Sequence, residues 1–367
     1  MIIAGHRTRW IALAGISGLM TVHAAAQSAT SASAPPPPPP PMARTAAPVP
    51  AADMQAVLDA QAALGGKPIE TLTPAQARLQ PSPADGVAAV MATMSMRPES
   101  GVTTQDLAYG SDPLQMARIY RPANAAPGKP MPIVVYYHGG GWVIADLKTY
   151  DATPRLMAQQ LGAIVVSVEY RHAPEVKFPA QHDDANAAYA WTLQNAKSWG
   201  GDASKVALAG ESAGGNLAVA TAIHARDTRM KPPVAILAVY PIANSSKTLP
   251  SRVDSANAKP LNAAMLGWFG HYYSNSPADM MDPRLNLVKA NLRGLPPTTI
   301  VNAAIDPLRS DGETLATAMR AAGDRVEQRT FPGVTHEFFG MGKVVRGAAE
   351  AEAYAIARLK TAFATSK

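Results

Sequence analysis

Val206-Ala-Leu-Ala-Gly210-Glu-Ser212-Ala-Gly214-Gly-Asn216 is the stretch of sequence that decides the fold. Its first four residues predict a short buried strand, and the residues after Gly214 have the apolar spacing of a helix. A Gly-x-Ser-x-Gly pattern between a strand and a helix predicts a sharp turn that lifts the serine hydroxyl above the end of the sheet. The turn also brings the serine to the positive end of the helix. The stretch therefore predicts a serine nucleophile on an α/β scaffold.

Strands and helices alternate on both sides of this stretch. Apolar runs at residues 132–137 and 163–170 predict strands, and helical spacing predicts helices at 154–161 and 179–199. Such alternation is typical of a mostly parallel central sheet with helices on both faces. We therefore expect an α/β fold, in which ligands bind at the carboxyl ends of the strands.

A glycine-rich loop, His138-Gly-Gly-Gly141-Trp142, follows the strand predicted at 132–137. Three glycines let the backbone turn so that its amides point into a cleft. An oxyanion hole needs amides placed in this way. A tight turn without a function has the same composition, so the loop alone leaves both interpretations open.

A serine nucleophile requires a base and a carboxylate that orients the base, in the chain order serine, acid, histidine. Of the later histidines, His224 falls inside the helix after the serine, and His271 lies in an aromatic segment. His336 follows the last predicted strand, at the same end of the sheet as the serine. For the acid, Asp306 at the end of a strand is better placed than Asp311, which falls in the next helix.

From about Leu107 to its C-terminus, the chain resembles the bacterial hormone-sensitive-lipase-like esterases, a branch of the α/β-hydrolases. Six ordered motifs over about 260 residues carry the resemblance: His138-Gly-Gly-Gly, Tyr170-Arg-His-Ala-Pro-Glu175, Gly210-Glu-Ser-Ala-Gly-Gly-Asn, Asp282-Pro-Arg284, Asp306-Pro-Leu and His336-Glu-Phe338. Two positions depart from the commoner family pattern. Ser310 stands where an acidic residue is frequent, and Glu337 replaces a frequent glycine after the histidine.

The resemblance implies an α/β-hydrolase fold with a helical cap and a serine carboxylesterase activity. Ser212 would be the nucleophile, His336 the base and Asp306 the acid that orients it, in agreement with the chain order above. The oxyanion hole would consist of three backbone amides, those of Gly140, Gly141 and Ala213. The implied reaction requires neither a metal nor a cofactor, and its partner is a small-molecule ester.

Two segments are expected to roof the cleft of the catalytic domain, which we place at residues 104–367. One is an N-terminal cap of helices at 53–103, whose first helix would be N-capped by Asp53. The other is a helical insertion at about 244–292. Five aromatic residues are candidates to line the cleft: Trp142, Trp268, Phe269, Tyr272 and Tyr273.

A roofed apolar cleft favours water-soluble esters with short or medium acyl chains, which we place at fewer than about ten carbons. The triad does not determine the leaving group, so a lipase, a lactonase or an amidase remains an alternative. A ligand-binding protein on the same fold is less favoured, because such proteins usually lose a triad member and all three are present here.

The first 52 residues predict an export leader and a spacer. Residues 1–26 carry a basic start, an apolar stretch at 10–22 and Ala24-Ala-Ala26, which is the pattern of a cleaved signal peptide. The apolar stretch is short for a stable membrane span, although an uncleaved anchor is the alternative. Residues 27–52 are an Ala/Ser/Pro-rich linker with seven consecutive prolines, a spacer or a docking peptide. We expect a secreted or periplasmic protein.

The composition excludes several other classes. The 367 residues include no cysteine, which excludes disulfides, thiolate metal sites and a cysteine nucleophile. The net charge is +6, but no dense Lys/Arg cluster predicts a nucleic-acid surface. The final helix at 347–364 could pair with a second copy of the chain, so a homodimer remains open.

Overall fold

A computed structural model describes residues 49–97, 101–123, 125 and 128–366. The predicted signal peptide and most of the predicted linker lie outside the described residues. Within the part of the chain that is described, no helix combines the length and apolar character that a membrane crossing requires.

One eight-stranded sheet organises the chain, with the strand order β1-β2-β4-β3-β5-β6-β7-β8. Strand β2 pairs antiparallel with β1 and β4, and the remaining pairs are parallel. The mostly parallel α/β sheet expected from the sequence is therefore confirmed. The strands are β1 (Val102–Ala108), β2 (Met116–Pro122), β3 (Met131–Tyr137), β4 (Ile164–Val168), β5 (Gly201–Glu211), β6 (Ile236–Val239), β7 (Thr298–Ile305) and β8 (Val326–Thr335).

Helices cover both faces of the sheet. The catalytic-domain helices are α4 (Ala152–Leu161), α5 (Ala180–Asn195), α6 (Ala213–Asp227), α9 (Arg309–Ala321) and α10 (Arg346–Thr365). Alternate residues of β3 show why both faces are apolar. Ile133 and Val135 pack into a core with α5, α6 and α9, whereas Val134 and Tyr136 pack into a second core with α4 and α10.

The N-terminal cap contains α1 (Ala52–Ala63), α2 (Pro74–Ala77) and α3 (Pro83–Thr93), with a 3₁₀ turn at Ile69–Thr71. Residues 244–292, predicted as a helical insertion, contain α7 (Pro250–Asp254) and α8 (Ala263–Tyr273). The cap and the insertion are in contact: the Trp268 indole Nε1 donates to the Leu72 carbonyl at 2.9 Å. Residues of both segments also line one cavity together with Ser212, at the carboxyl end of β5.

The N-cap prediction for Asp53 is wrong. Helix α1 begins at Ala52, and its N-cap residue, Ala51, is held by a backbone hydrogen bond from its amide to the Gly333 carbonyl at 2.8 Å. The Asp53 carboxylate instead accepts from the amide of Arg346 at 2.8 Å, at the start of α10. Asp53 therefore satisfies a free amide of a distant helix and fastens the cap to the catalytic domain.

Candidate active site

Ser212 lies in the turn between β5 and α6, with φ 57° and ψ −116°, a conformation that residues with a β-carbon rarely adopt. Helix α6 passes so close to the end of β3 that a β-carbon on Gly214 would overlap the Tyr137 carbonyl oxygen. The amide of Ser212 is nevertheless satisfied, because it donates to the Val239 carbonyl at 2.9 Å. The motif therefore requires small residues because α6 lies so close to β3. The hydrogen bond to β6 holds the strained backbone of Ser212 in place.

The two ring nitrogens of His336 lie within hydrogen-bond distance of Ser212 and Asp306. His336 Nε2 lies 3.0 Å from Ser212 Oγ, and His336 Nδ1 lies 2.7 Å from Asp306 Oδ2. The second oxygen of Asp306 accepts from the amide of Leu308 at 2.7 Å, which fixes the carboxylate. The three residues come from the ends of β5, β7 and β8, so the parallel sheet brings them to one edge.

His336, the candidate base, is almost fully buried, and its neighbours determine its charge state. Burial opposes protonation of His336, but the charge and hydrogen bond of Asp306, with the charges of Glu337 and Glu211, outweigh burial and raise the pKa of the imidazole above its usual value. The ring also packs on Tyr240, with 4.5 Å between the ring centroids. The imidazolium form is therefore stabilised at this position.

The glycine loop after β3 faces the serine. Gly140 and Gly141 adopt left-handed backbone angles, φ 91° and 59°. A β-carbon on Gly141 would overlap the Phe269 ring of the insertion. Both residues line the same cavity as Ser212. Ala213, the next residue after Ser212, is the first residue of helix α6. The geometry is thus compatible with an anion site formed by the amides of these three residues.

The loop is braced from within by buried rings. His138 is fully buried and stacks on Tyr170, with 4.4 Å between ring centroids. The Tyr170 hydroxyl lies 3.0 Å from the His138 carbonyl and 3.1 Å from the Gly139 carbonyl, and it can donate to either. The buried tyrosine hydroxyl therefore fixes the first two carbonyls of the loop.

One cluster near this loop has the composition of a metal site. Ligand atoms of His138, Glu169 and His172 lie within 4.8 Å of one another. Burial would raise the pKa of Glu169, but the charges and hydrogen bonds of the two histidines outweigh it and lower the pKa to about 2. The Glu169 carboxylate thus lies between the two rings, 3.4 Å from His138 Nε2 and 3.0 Å from His172 Nε2. Among the described residues that line the cavity, none belongs to this cluster.

A cavity of about 450 Å³ opens above Ser212. Its volume lies in the range of ordinary small-ligand sites. Mainly apolar side chains of the cap, the insertion and the catalytic domain line it, among them Leu58, Ile69, Ile144, Leu261, Met265, Leu266 and Phe269. Sequence reasoning did not single out the aliphatic members of this set. These residues come from segments far apart in the chain, and nothing in the local spacing of the sequence distinguishes them from core residues.

Of the five aromatic residues predicted to line the cleft, Phe269 does so, and the prediction is wrong for the other four. Trp142 is 3% exposed and stacks on the fully buried Tyr273 at 4.2 Å between centroids. The Tyr273 hydroxyl lies 3.1 Å from Nδ1 of His182, within the core. Trp268 and Tyr272 lie against a separate shallow groove on the other side of α8.

The other candidates for the base and the acid, His271, His224 and Asp311, lie outside the cavity lining. His271 is exposed beside that shallow groove, and His224 lies in α6 away from the residues that line the cavity. Asp311 is fully buried and accepts from the amides of Ala243 and Asn244, at 3.1 Å each, while it pairs with Arg252 at 2.9 Å. Asp311 therefore anchors the start of the insertion to α9.

A family model described as alpha/beta hydrolase fold matches residues 134–340. The chain is 42% identical over 236 residues to the carboxylesterase NlhH of Mycobacterium tuberculosis, covering 63% of this chain and 74% of the relative. It is 34% identical over 235 residues to an ethyl acetate hydrolase of Pseudomonas putida, covering 64% and 74%.

Solved structures agree with these relatives. The hyperthermophilic esterase of Pyrobaculum calidifontis superimposes with a TM-score of 0.74 at 33% identity, covering 86% of this chain and 98% of that one. The fold, the family model and the relatives all indicate an esterase of the α/β-hydrolase fold. The chain belongs to the hormone-sensitive-lipase-like esterases of the α/β-hydrolase fold, and it is a carboxylic ester hydrolase.

Proposed function

We propose that the chain hydrolyses short- to medium-chain carboxylic esters through an acyl-enzyme on Ser212. The observation that carries the proposal is the hydrogen-bonded series Ser212–His336–Asp306, which opens into a cavity of about 450 Å³. The names of the relatives, a carboxylesterase and an ethyl acetate hydrolase, support the ester class.

In the acylation step, Ser212 Oγ attacks the ester carbonyl carbon while His336 Nε2 takes the hydroxyl proton. Asp306 keeps the other ring nitrogen protonated, so that Nε2 has a free lone pair for this proton. The imidazolium then gives the proton to the departing alkoxide, which leaves as the alcohol. The acyl group remains on Ser212 as an ester.

Negative charge develops on the carbonyl oxygen during both attacks. The amides of Gly140, Gly141 and Ala213 would donate to that oxygen, and loss of one such donor typically costs about 3–4 kcal/mol of transition-state stabilisation. Water then attacks the acyl-enzyme, with His336 again taking the proton and returning it to Ser212. The products are a carboxylic acid and the regenerated enzyme.

The cavity predicts the acyl-chain preference. We expect kcat/KM for p-nitrophenyl esters to peak below about ten acyl carbons, because Phe269 and Leu58 line a cavity of ordinary small-ligand size. The Phe269→Ala variant should shift the peak to longer chains by removing a ring from the cavity lining. A wild-type maximum at long chains with activation at an oil interface would contradict the proposal and indicate a lipase. Faster hydrolysis of matched p-nitroanilides would indicate an amidase.

The pKa of His336 predicts the acidic limb of the pH profile. Because the base must be neutral and its pKa is raised from 6.5, activity should fall as the pH decreases through a midpoint above 6.5. The check is kcat/KM for an uncharged ester from pH 4 to 9 at constant ionic strength. A rate that stays flat well below pH 5 would argue against a histidine base.

A further inference from the structure

Glu337 has an unusual backbone for the residue that follows the base. Its φ is 67°, in the left-handed region that a residue with a β-carbon rarely occupies. Its side chain is 19% exposed and contributes to the lining of the cavity above Ser212. The sequence therefore places a carboxylate inside the substrate cavity, at a position where the backbone would favour glycine.

The position of this carboxylate is defined by two neighbours. The Tyr150 hydroxyl lies 2.6 Å from Oε1 and 2.5 Å from Oε2 of Glu337, and it donates to the carboxylate. Oε1 lies 3.8 Å from His336 Nε2. Since Ser212 Oγ is 3.0 Å from the same nitrogen, Oε1 lies no more than 6.8 Å from the nucleophilic oxygen. The charge is thus close enough to act on a group of the bound substrate.

Few cationic side chains lie near the Glu337 carboxylate. Among the residues that the structure describes, no lysine or arginine forms an ion pair with Glu337. Lys67 and Lys259 belong to the cavity lining but are exposed, whereas Glu70 is a second, half-buried carboxylate in the lining. Arg78, the remaining cation of the lining, forms a bidentate pair with Glu175 at 2.7 Å. Glu337 therefore faces the cavity with the Tyr150 hydroxyl and the His336 imidazole as its partners, and no described lysine or arginine neutralises its carboxylate.

We propose that Glu337 forms a subsite for a cationic group of the substrate, so that the enzyme prefers esters bearing an ammonium about two carbons from the ester oxygen. This inference rests on the proposed function. A partly dehydrated carboxylate attracts a cation more strongly than the same group does in water. An ammonium on a two-carbon spacer reaches the carboxylate while the ester carbonyl lies at Ser212.

An effect of Glu337 on the base alone is a different hypothesis with a different outcome. If the carboxylate only changes the basicity of His336, then its loss changes the rate of charged and neutral esters by one common factor. If it binds the substrate, its loss changes their ratio. The ratio of kcat/KM values for two esters of the same shape therefore separates the two roles.

The experiment compares acetylcholine with its uncharged isostere, 3,3-dimethylbutyl acetate, at low ionic strength. In the wild-type enzyme we expect kcat/KM to be about tenfold higher for the cationic ester, and the ratio to fall toward one in concentrated salt. In Glu337→Gln, which keeps the shape and a carbonyl that can accept from Tyr150, the ratio should fall to about one. Glu337→Gly, which suits the left-handed backbone, should give the same loss if the glutamine variant folds poorly.

The control is Glu350→Gln, which removes an equal charge from an exposed position on α10 and should leave the ratio unchanged. A wild-type ratio near one, with the neutral ester hydrolysed, would overturn the subsite and leave the proposed function intact. A preference that persists in both Glu337 variants would also overturn it. If neither ester is hydrolysed by the wild-type enzyme, the proposed function itself fails.

Discussion

Replacing Ser212 with alanine is expected to lower kcat for p-nitrophenyl acetate by about 10⁴-fold or more. The variant keeps the cavity and the glycine loop but has no oxygen to form the acyl-enzyme. Alanine is smaller than serine, so the tight turn between β5 and α6 has room for it. The unusual backbone angles at this position, φ 57° and ψ −116°, suit both residues equally poorly.

The measurement is a steady-state assay of freshly purified wild type and variant, with thermal unfolding as a check of the fold. Ser198→Ala is the matched control, because it removes an exposed hydroxyl that bonds only locally, to the Asn195 carbonyl. It should retain full activity. A Ser212→Ala enzyme with more than a few per cent of wild-type activity would mean that another residue is the nucleophile.

Replacing Asp306 with asparagine is expected to lower kcat by about 10⁴-fold while the protein stays folded. The asparagine amide can donate to His336 Nδ1, where the carboxylate now accepts at 2.7 Å. The proton then moves to Nε2, and the ring loses the lone pair that accepts the proton of Ser212. The substitution thus changes the tautomer of the base without changing the size of the side chain.

Asp311→Asn is the control for Asp306→Asn. It removes a nearby buried carboxylate without changing the tautomer of His336. Asp311 is equally buried, but it bonds the amides of Ala243 and Asn244 and pairs with Arg252. We expect this variant to melt at a lower temperature and to keep near-normal kcat in its folded fraction. Equal losses of kcat in the two variants would contradict the assignment of Asp306.

The parts of the site that depend on chain order were predictable from the sequence. Parallel strands present their carboxyl ends at one edge, so the order of the strands along the chain predicts that Asp306 and His336 lie beside Ser212. The close passage of α6 over β3 similarly explains why Gly214 could be recognised from spacing alone. In each of these cases the residue type, its place after a strand and the required geometry agree.

The lining of the cavity was not predictable, because helix α8 is apolar on nearly every side. With aromatic residues at successive positions, periodicity cannot tell which face of Ala263–Tyr273 meets the substrate. The structure turns Phe269 to the cavity, Trp268 to the cap and Tyr273 to the core. Such a choice depends on contacts between segments far apart in sequence.

Strand β1 was missed for a different reason. Val102–Ala108 is an edge strand whose side chains are mostly exposed on both faces, so it lacks the alternation that marks a half-buried strand. Its pairing with β2 is carried by backbone hydrogen bonds, which leave no signature in residue type. The charge of Glu337 was visible in the sequence, but its distance from the base was not.

The most direct test of the acyl-enzyme on Ser212 is labelling of the folded protein with diethyl p-nitrophenyl phosphate, followed by intact-protein and peptide mass spectrometry. We expect one diethylphosphoryl group per chain, located on the peptide that contains Ser212, with loss of esterase activity in proportion to labelling. Labelling should require the native fold and should be absent in Ser212→Ala. A folded, active enzyme that acquires no adduct, or an adduct on a different residue, would contradict the proposed mechanism.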